Sequence, residues 1–230
     1  AYEGDKTSIN LSLDKTDQDN IPPFAQLTNT IPNWSTAFGV VASALTGGLK
    51  LWPIELFKNS KRQNVAHIDA NTFELSTVEG TSLTIAREMG LGTLKVIWAK
   101  RKTDWDDNLD LDGGPFPIAN TSRFTNYSAE TLEVQLSGST DKMEYVVGYY
   151  ALKDDAYTSN PQSFFGGGTS IVQNYSGNGD STAIFGQLTY AIAENWDVTV
   201  GARSTEEDKV GVKEYVGIIS ASGKGRFDDT

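Results

Sequence analysis

The sequence predicts an all-β chain: an antiparallel, up-and-down sheet of long strands belonging to a transmembrane β-barrel. Three observations predict it. Tyr127–Gly138 alternates polar and apolar residues, and Met143–Leu152 repeats the plan after a short polar turn. The plan returns at Ala183–Tyr190 and Trp196–Arg203, joined by the tight turn Ala193-Glu194-Asn195. Short and long connections also alternate along the chain, as they do in outer-membrane barrels. A soluble β-sandwich has no reason to gather its long connections at one end.

Taken in order, Thr7–Asp14 reads as the end of a strand, with Ile9, Leu11 and Leu13 on one face. A long loop at 15–69 follows, punctuated by Pro22-Pro23, Pro32, Gly47-Gly48 and Pro53. A connection of this length is uncommon in a compact domain: either it is a functional loop, expected at the extracellular end, or the strand reading fails there. A short helix is expected at Thr36–Leu45. Asn71–Glu88 is the next strand, with Phe73, Leu75, Leu83 and Ile85 in one parity. Met89–Gly92 turns the chain. Thr93–Thr103 returns with Leu94, Val96 and Trp98 on one face. Ile97 and Ala99 make its other face partly apolar, which leaves its orientation open.

An acidic loop is expected from Asp104 to about 122. Strands follow near 123–137 and 142–153, then a Gly/Ser/Asn-rich loop at 154–180. Strands near 181–193 and 196–208 close the regular part, with a short strand at Val210–Ile219 beyond. The expectation is about seven strands and a stub.

Composition bounds the function. The chain has 230 residues, no cysteine and a net charge of −11. Disulfides and thiolate metal sites are excluded. The acidity argues against a nucleic-acid partner, which needs clustered Lys and Arg. The longest apolar-leaning stretch, Phe38–Trp52, falls about five residues short of the roughly 20 that span a bilayer as a helix. A transmembrane strand needs only about 9–11.

The ordered runs Gly80–Ile85, Gly92–Ile97, Asp110–Gly113, Tyr127–Gly138, Tyr145–Tyr150, Ala183–Tyr190, Val198–Arg203 and Arg226–Thr230 resemble the barrel of TonB-dependent outer-membrane receptors. The resemblance covers roughly residues 70–230, and 1–69 matches in plan only. It implies a 22-stranded barrel around an N-terminal plug. It implies import of a scarce nutrient: a siderophore–iron complex, cobalamin or an oligosaccharide. It implies energy delivered through TonB, in a bacterial outer membrane. No plug, TonB-contacting segment or aromatic C-terminal insertion signal is legible. The chain is therefore expected to be an internal segment of the barrel. A passive porin and a soluble carbohydrate-binding sandwich remain as alternatives.

Few residues suggest chemistry. His67 is the only histidine and lacks ligand-spaced partners. Asp104, Asp106, Asp107, Asp110 and Asp112 precede Gly113-Gly114. Asp110 and Asp112 are weak candidates for a calcium loop, since Ala119 stands where a bidentate Glu would be required. Glu130 with Glu133, and Glu206 with Glu207, fit a polar wall without catalysis. No enzyme activity and no cofactor are expected. Tyr145, Tyr149, Tyr150, Tyr190 and Trp196 read as an interface girdle. Trp34, Trp52, Trp105, Phe164, Phe165 and Tyr175 are placed in the long loops. There they are candidates for stacking on a ligand.

Overall fold

The computed structural model describes residues 1–30, 33–48, 52–65, 67–217 and 223–229, without side-chain detail at 34–36, 38, 46 and 223–229. Nine antiparallel strands follow one another across a single sheet in chain order. They are β1 (Tyr2–Glu3), β2 (Thr7–Asn20), β3 (Phe73–Met89), β4 (Gly92–Asp110) and β5 (Ala119–Ser139). Then come β6 (Met143–Phe164), β7 (Thr169–Ala193), β8 (Trp196–Gly217) and β9 (Gly223–Asp229). The seven expected strands are β2 to β8. A sandwich needs a second sheet facing the first; the described residues form one sheet, and it is open.

The strands are longer than their alternation predicts. β2 continues to Asn20, so the first long connection begins at residue 21 rather than 15. The expected acidic loop is largely strand, because β4 runs on to Asp110 and β5 starts at Ala119. The expected 154–180 loop is a hairpin of β6 and β7, turning at 165–168. The expected short strand at Val210–Ile219 is, as far as residue 217, the end of β8. The extensions at 104–110 and 154–180 are mostly polar on both faces, so their period-2 hydrophobic signal is weak. Their backbones pair regardless, because paired groups satisfy each other.

One interruption has a chemical cause. Pro161 has no N–H to donate. Pairing between β5 and β6 lapses between Thr121↔Gln162 and Phe124↔Ser159. The Asn160 side-chain amide donates instead, to Ser122 O at 2.6 Å and Thr121 Oγ1 at 2.9 Å.

The register sorts residues onto two faces. One carries continuous apolar rows: Ile9–Ile85–Val96–Val134–Tyr149–Ile184, and Leu11–Leu83–Trp98–Leu132–Ala151. Charge replaces them at the next row up, Lys100–Glu130–Lys153–Asp180–Asp208. Tyr145, Tyr190 and Trp196 lie at the lower edge of this apolar face. At its upper edge, Trp98 Nε1 donates to Glu130 Oε1 at 2.7 Å. Tyr150 falls on the opposite face, with the Arg203 guanidinium 5.7 Å from its ring centre. It therefore cannot belong to a girdle on the apolar face.

The opposite face is polar. Its rows include Asn10–Thr84–Ile97–Glu133–Tyr150 and Ser8–Ala86–Lys95–Gln135. Arg101 reaches across β3 to Asp14 at 3.2 Å. Gly80 makes this possible, since a Cβ there would occupy the Asp14 carboxylate.

The connection between β2 and β3 carries helix α1 (Trp34–Thr46) and a 3-10 turn at Ile54–Phe57. The helix agrees with the expected Thr36–Leu45. It ends at Gly47 in the left-handed region, whose N–H bonds Ser43 O at 3.0 Å. A small apolar core forms here from Ala42, Trp52, Ile54 and Ile118, with Leu27, Phe116 and Phe165 against it.

Candidate functional site

The extensions of β4 to β8 build a groove on the polar face, beyond the level of the apolar rows. One cross-strand row runs Gln18–Ser76–Trp105–Thr125–Thr158–Tyr175–Lys213. Two expected ligand-stacking aromatics, Trp105 and Tyr175, thus share one row and one face. They stand on strands rather than loops. The groove encloses about 720 Å³, within the ~300–1,000 Å³ range of small-molecule sites.

Its side chains are held from below. Asp107 is buried, with 4% of its side chain exposed. It accepts from Trp105 Nε1 at 2.9 Å and from Arg123 Nη2 at 2.6 Å. This clamp fixes the indole plane and neutralises the guanidinium. Thr125 and Thr158 hydroxyls meet at 3.0 Å between the two aromatics. The Tyr175 hydroxyl donates to Gln173 at 2.5 Å, and Lys213 Nζ lies 5.1 Å from its ring centre. Asn160 lines the groove from its position beside Pro161. Asp107, Arg123, Asn160 and Lys213 were not foreseen as a group. Parity would have assembled them, had 104–122 and 154–180 been read as strands.

The other sequence candidates go elsewhere. Trp52 is buried and stacks on Phe116 and Phe165 at 6.4 and 6.1 Å. Trp52 and Phe165 are therefore members of the loop core. Phe164 ends β6, and Trp34 opens α1, where its side chain lies outside the described atoms. His67 packs against Phe57 with 5.7 Å between ring centres.

The acidic run is split by the strand. Asp104 and Asp106 face the apolar-row side, while Asp107 faces the groove. Asp110 and Asp112 gather with Asp69 at the top of β4, their nearest carboxylate oxygens all within 4.8 Å of one another. Backbone donors already serve them. Asp110 accepts from Gly113 N at 2.6 Å, and Asp112 from Ala119 N at 2.9 Å. These bonds fold the 111–118 loop that delivers Phe116 and Ile118 to the core.

Burial, with Asp110 and Asp69 adding repulsion, raises the Asp112 carboxyl to about 6, against the hydrogen bonds to Ala119 and Gly114. A carboxyl raised in the folded state destabilises it once ionised. The penalty is absent below the unfolded value near 4 and complete above about 6. Amides of 111–119 should therefore exchange more slowly at pH 5 than at pH 7.5, relative to intrinsic rates. Asp112→Asn should remove most of that difference. Faster exchange at the lower pH would contradict the assignment.

Neither a protein-family model nor a curated protein matches the chain. A solved structure does: the ferric yersiniabactin uptake receptor FyuA from Yersinia pestis, with a TM-score of 0.61 and 11% identity. The match covers 76% of this chain and 27% of that receptor, so the chain spans about a quarter of its length. The sheet is built like part of a receptor barrel. At this identity the likeness concerns the fold.

Proposed function

We propose that the chain is a wall segment of a TonB-coupled import receptor in a bacterial outer membrane. The observation that carries this reading is the apolar band on one face. On β6 the band runs from Met143 to Ala151 and stops at Lys153. That is the ~9–11-residue length of a membrane-spanning strand. Tyr and Trp at its edges suit both membrane interfaces. The apolar face then meets outer-membrane lipid and the polar face looks inward, onto plug or water. The long hairpins, with the 21–72 connection, stand outside the cell.

Exposed strand edges are not tolerated in lipid. The edge formed by β1 and the rest of β2, and the edge of β9, would therefore pair with further strands of a larger barrel. Plug and TonB-contacting segments belong to the same proposal, outside these residues. The imported nutrient would be caught in the groove at the outer end.

Active import is separated from passive passage by energy dependence. Cells carrying the full-length protein should lose uptake of its nutrient when the proton-motive force is dissipated. Uptake that persists unchanged would make the barrel a porin.

A further inference from the structure

We infer that the Trp105–Tyr175 groove binds a neutral, hydroxyl-rich chain of sugar rings, an inference that rests on the receptor reading above. Charge decides against a polyanion. Among the described residues, the only charged side chains lining the groove are Asp107 and Arg123, and they cancel through a 2.6 Å ion pair. Lys213 at its margin supplies one further cation. A polyanionic ligand is held by several uncancelled donors such as Arg forks. A cationic ligand finds no free carboxylate, because Asp107 is buried and doubly bonded.

What the groove offers instead is two kinds of surface in alternation. Trp105 and Tyr175 present ring surface at its two ends. Thr121, Thr125 and Thr158 present hydroxyls between them. A sugar ring has the matching pair of surfaces. Its C–H face lies on an aromatic plane, and its hydroxyl edge exchanges hydrogen bonds with short polar side chains.

Spacing sets the shape. Trp105 on β4 and Tyr175 on β7 are three strand spacings apart, about 14 Å at ~4.8 Å each. Each ring is tied to a neighbour on its own strand, Trp105 to Asp107 and Tyr175 to Gln173, so a ligand that stacks on both is longer than one ring. The indole is also preorganised: its N–H is tied to Asp107, which lowers the ordering cost of stacking.

The test uses the full-length protein, purified in detergent and applied to an array of neutral and acidic linear glycans. Retention of neutral glycans is expected. Titration of the best-retained neutral glycan should show Trp105→Ala and Tyr175→Ala each weakening binding about tenfold or more. Thr125→Val should weaken it less. Retention of acidic glycans only, retention of none, or wild-type affinity in both alanine variants would overturn the inference. Heat-modifiable gel mobility of each preparation reports barrel assembly separately. An assembled barrel without glycan binding defeats this inference alone. A protein that never forms a barrel defeats the receptor reading beneath it.

Discussion

Arginine at Val134 is expected to block assembly of the full-length barrel, while arginine at Gln135 is tolerated. The two residues are neighbours on β5 and point to opposite faces. Val134 sits in the middle of the apolar band, between Val96 on β4 and Tyr149 on β6. If that face meets lipid, a charge near the bilayer midplane costs about 2–4 kcal/mol. Gln135 lies between Lys95 and Gly148, and its amide bonds Glu133. A second cation there has Glu133 and water for company. The measurement is the fraction of each variant recovered from outer membranes in heat-modifiable form. Equal recovery would sink the membrane assignment. Loss at 135 with recovery at 134 would exchange the two faces.

The same parity explains how much of the fold was legible. Where one face is apolar, as at Leu132-Glu133-Val134-Gln135-Leu136, alternation names the strand and its orientation together. The short turns were equally plain, because few residues separate one alternating run from the next. Alternation fails once both faces are wet. Asp154–Phe164 and Thr169–Asp180 have Ser, Asn, Gly and Asp on both sides, and their composition is that of a loop. Only the pairing partner across the ladder reveals them as strand.

That failure also hid the candidate site. Residue type alone marks Trp105 and Tyr175 as binding aromatics, but the sequence pattern puts them on separate loops. The register puts them on one row, and it alone brings Asp107 and Arg123 together across β4 and β5. Trp52 shows the converse. An aromatic in a long loop is a ligand platform only if something leaves its face open, and Phe116 and Phe165 cover this one.

Two glycines beside the turn between β3 and β4 should respond in opposite ways to a single methyl group. Gly92→Ala is expected to destabilise the sheet strongly; Gly90→Ala should be nearly silent. Gly92 has φ of 128°, a conformation L side chains rarely adopt. Holding a non-glycine residue in such a region costs roughly 1–3 kcal/mol. Space adds to the penalty. A Cβ on Gly92 would fall on the backbone carbonyl oxygen of Ser137, with Gly138 Cα at 2.8 Å. Backbone cannot rotate away as a flexible side chain can. Relief would have to come from parting β4 and β5 where their ladder begins, at Thr93↔Ser137. Gly90 has no atom within 4 Å of its Cβ position. A surface change of that kind stays within about 0.5 kcal/mol. Urea midpoints of the two refolded full-length variants in lipid vesicles would show the contrast. Equal midpoints would mean that the tight turn does not hold β4 against β5 in this geometry. The register that carries both the apolar band and the groove would then lose its anchor at the lower end.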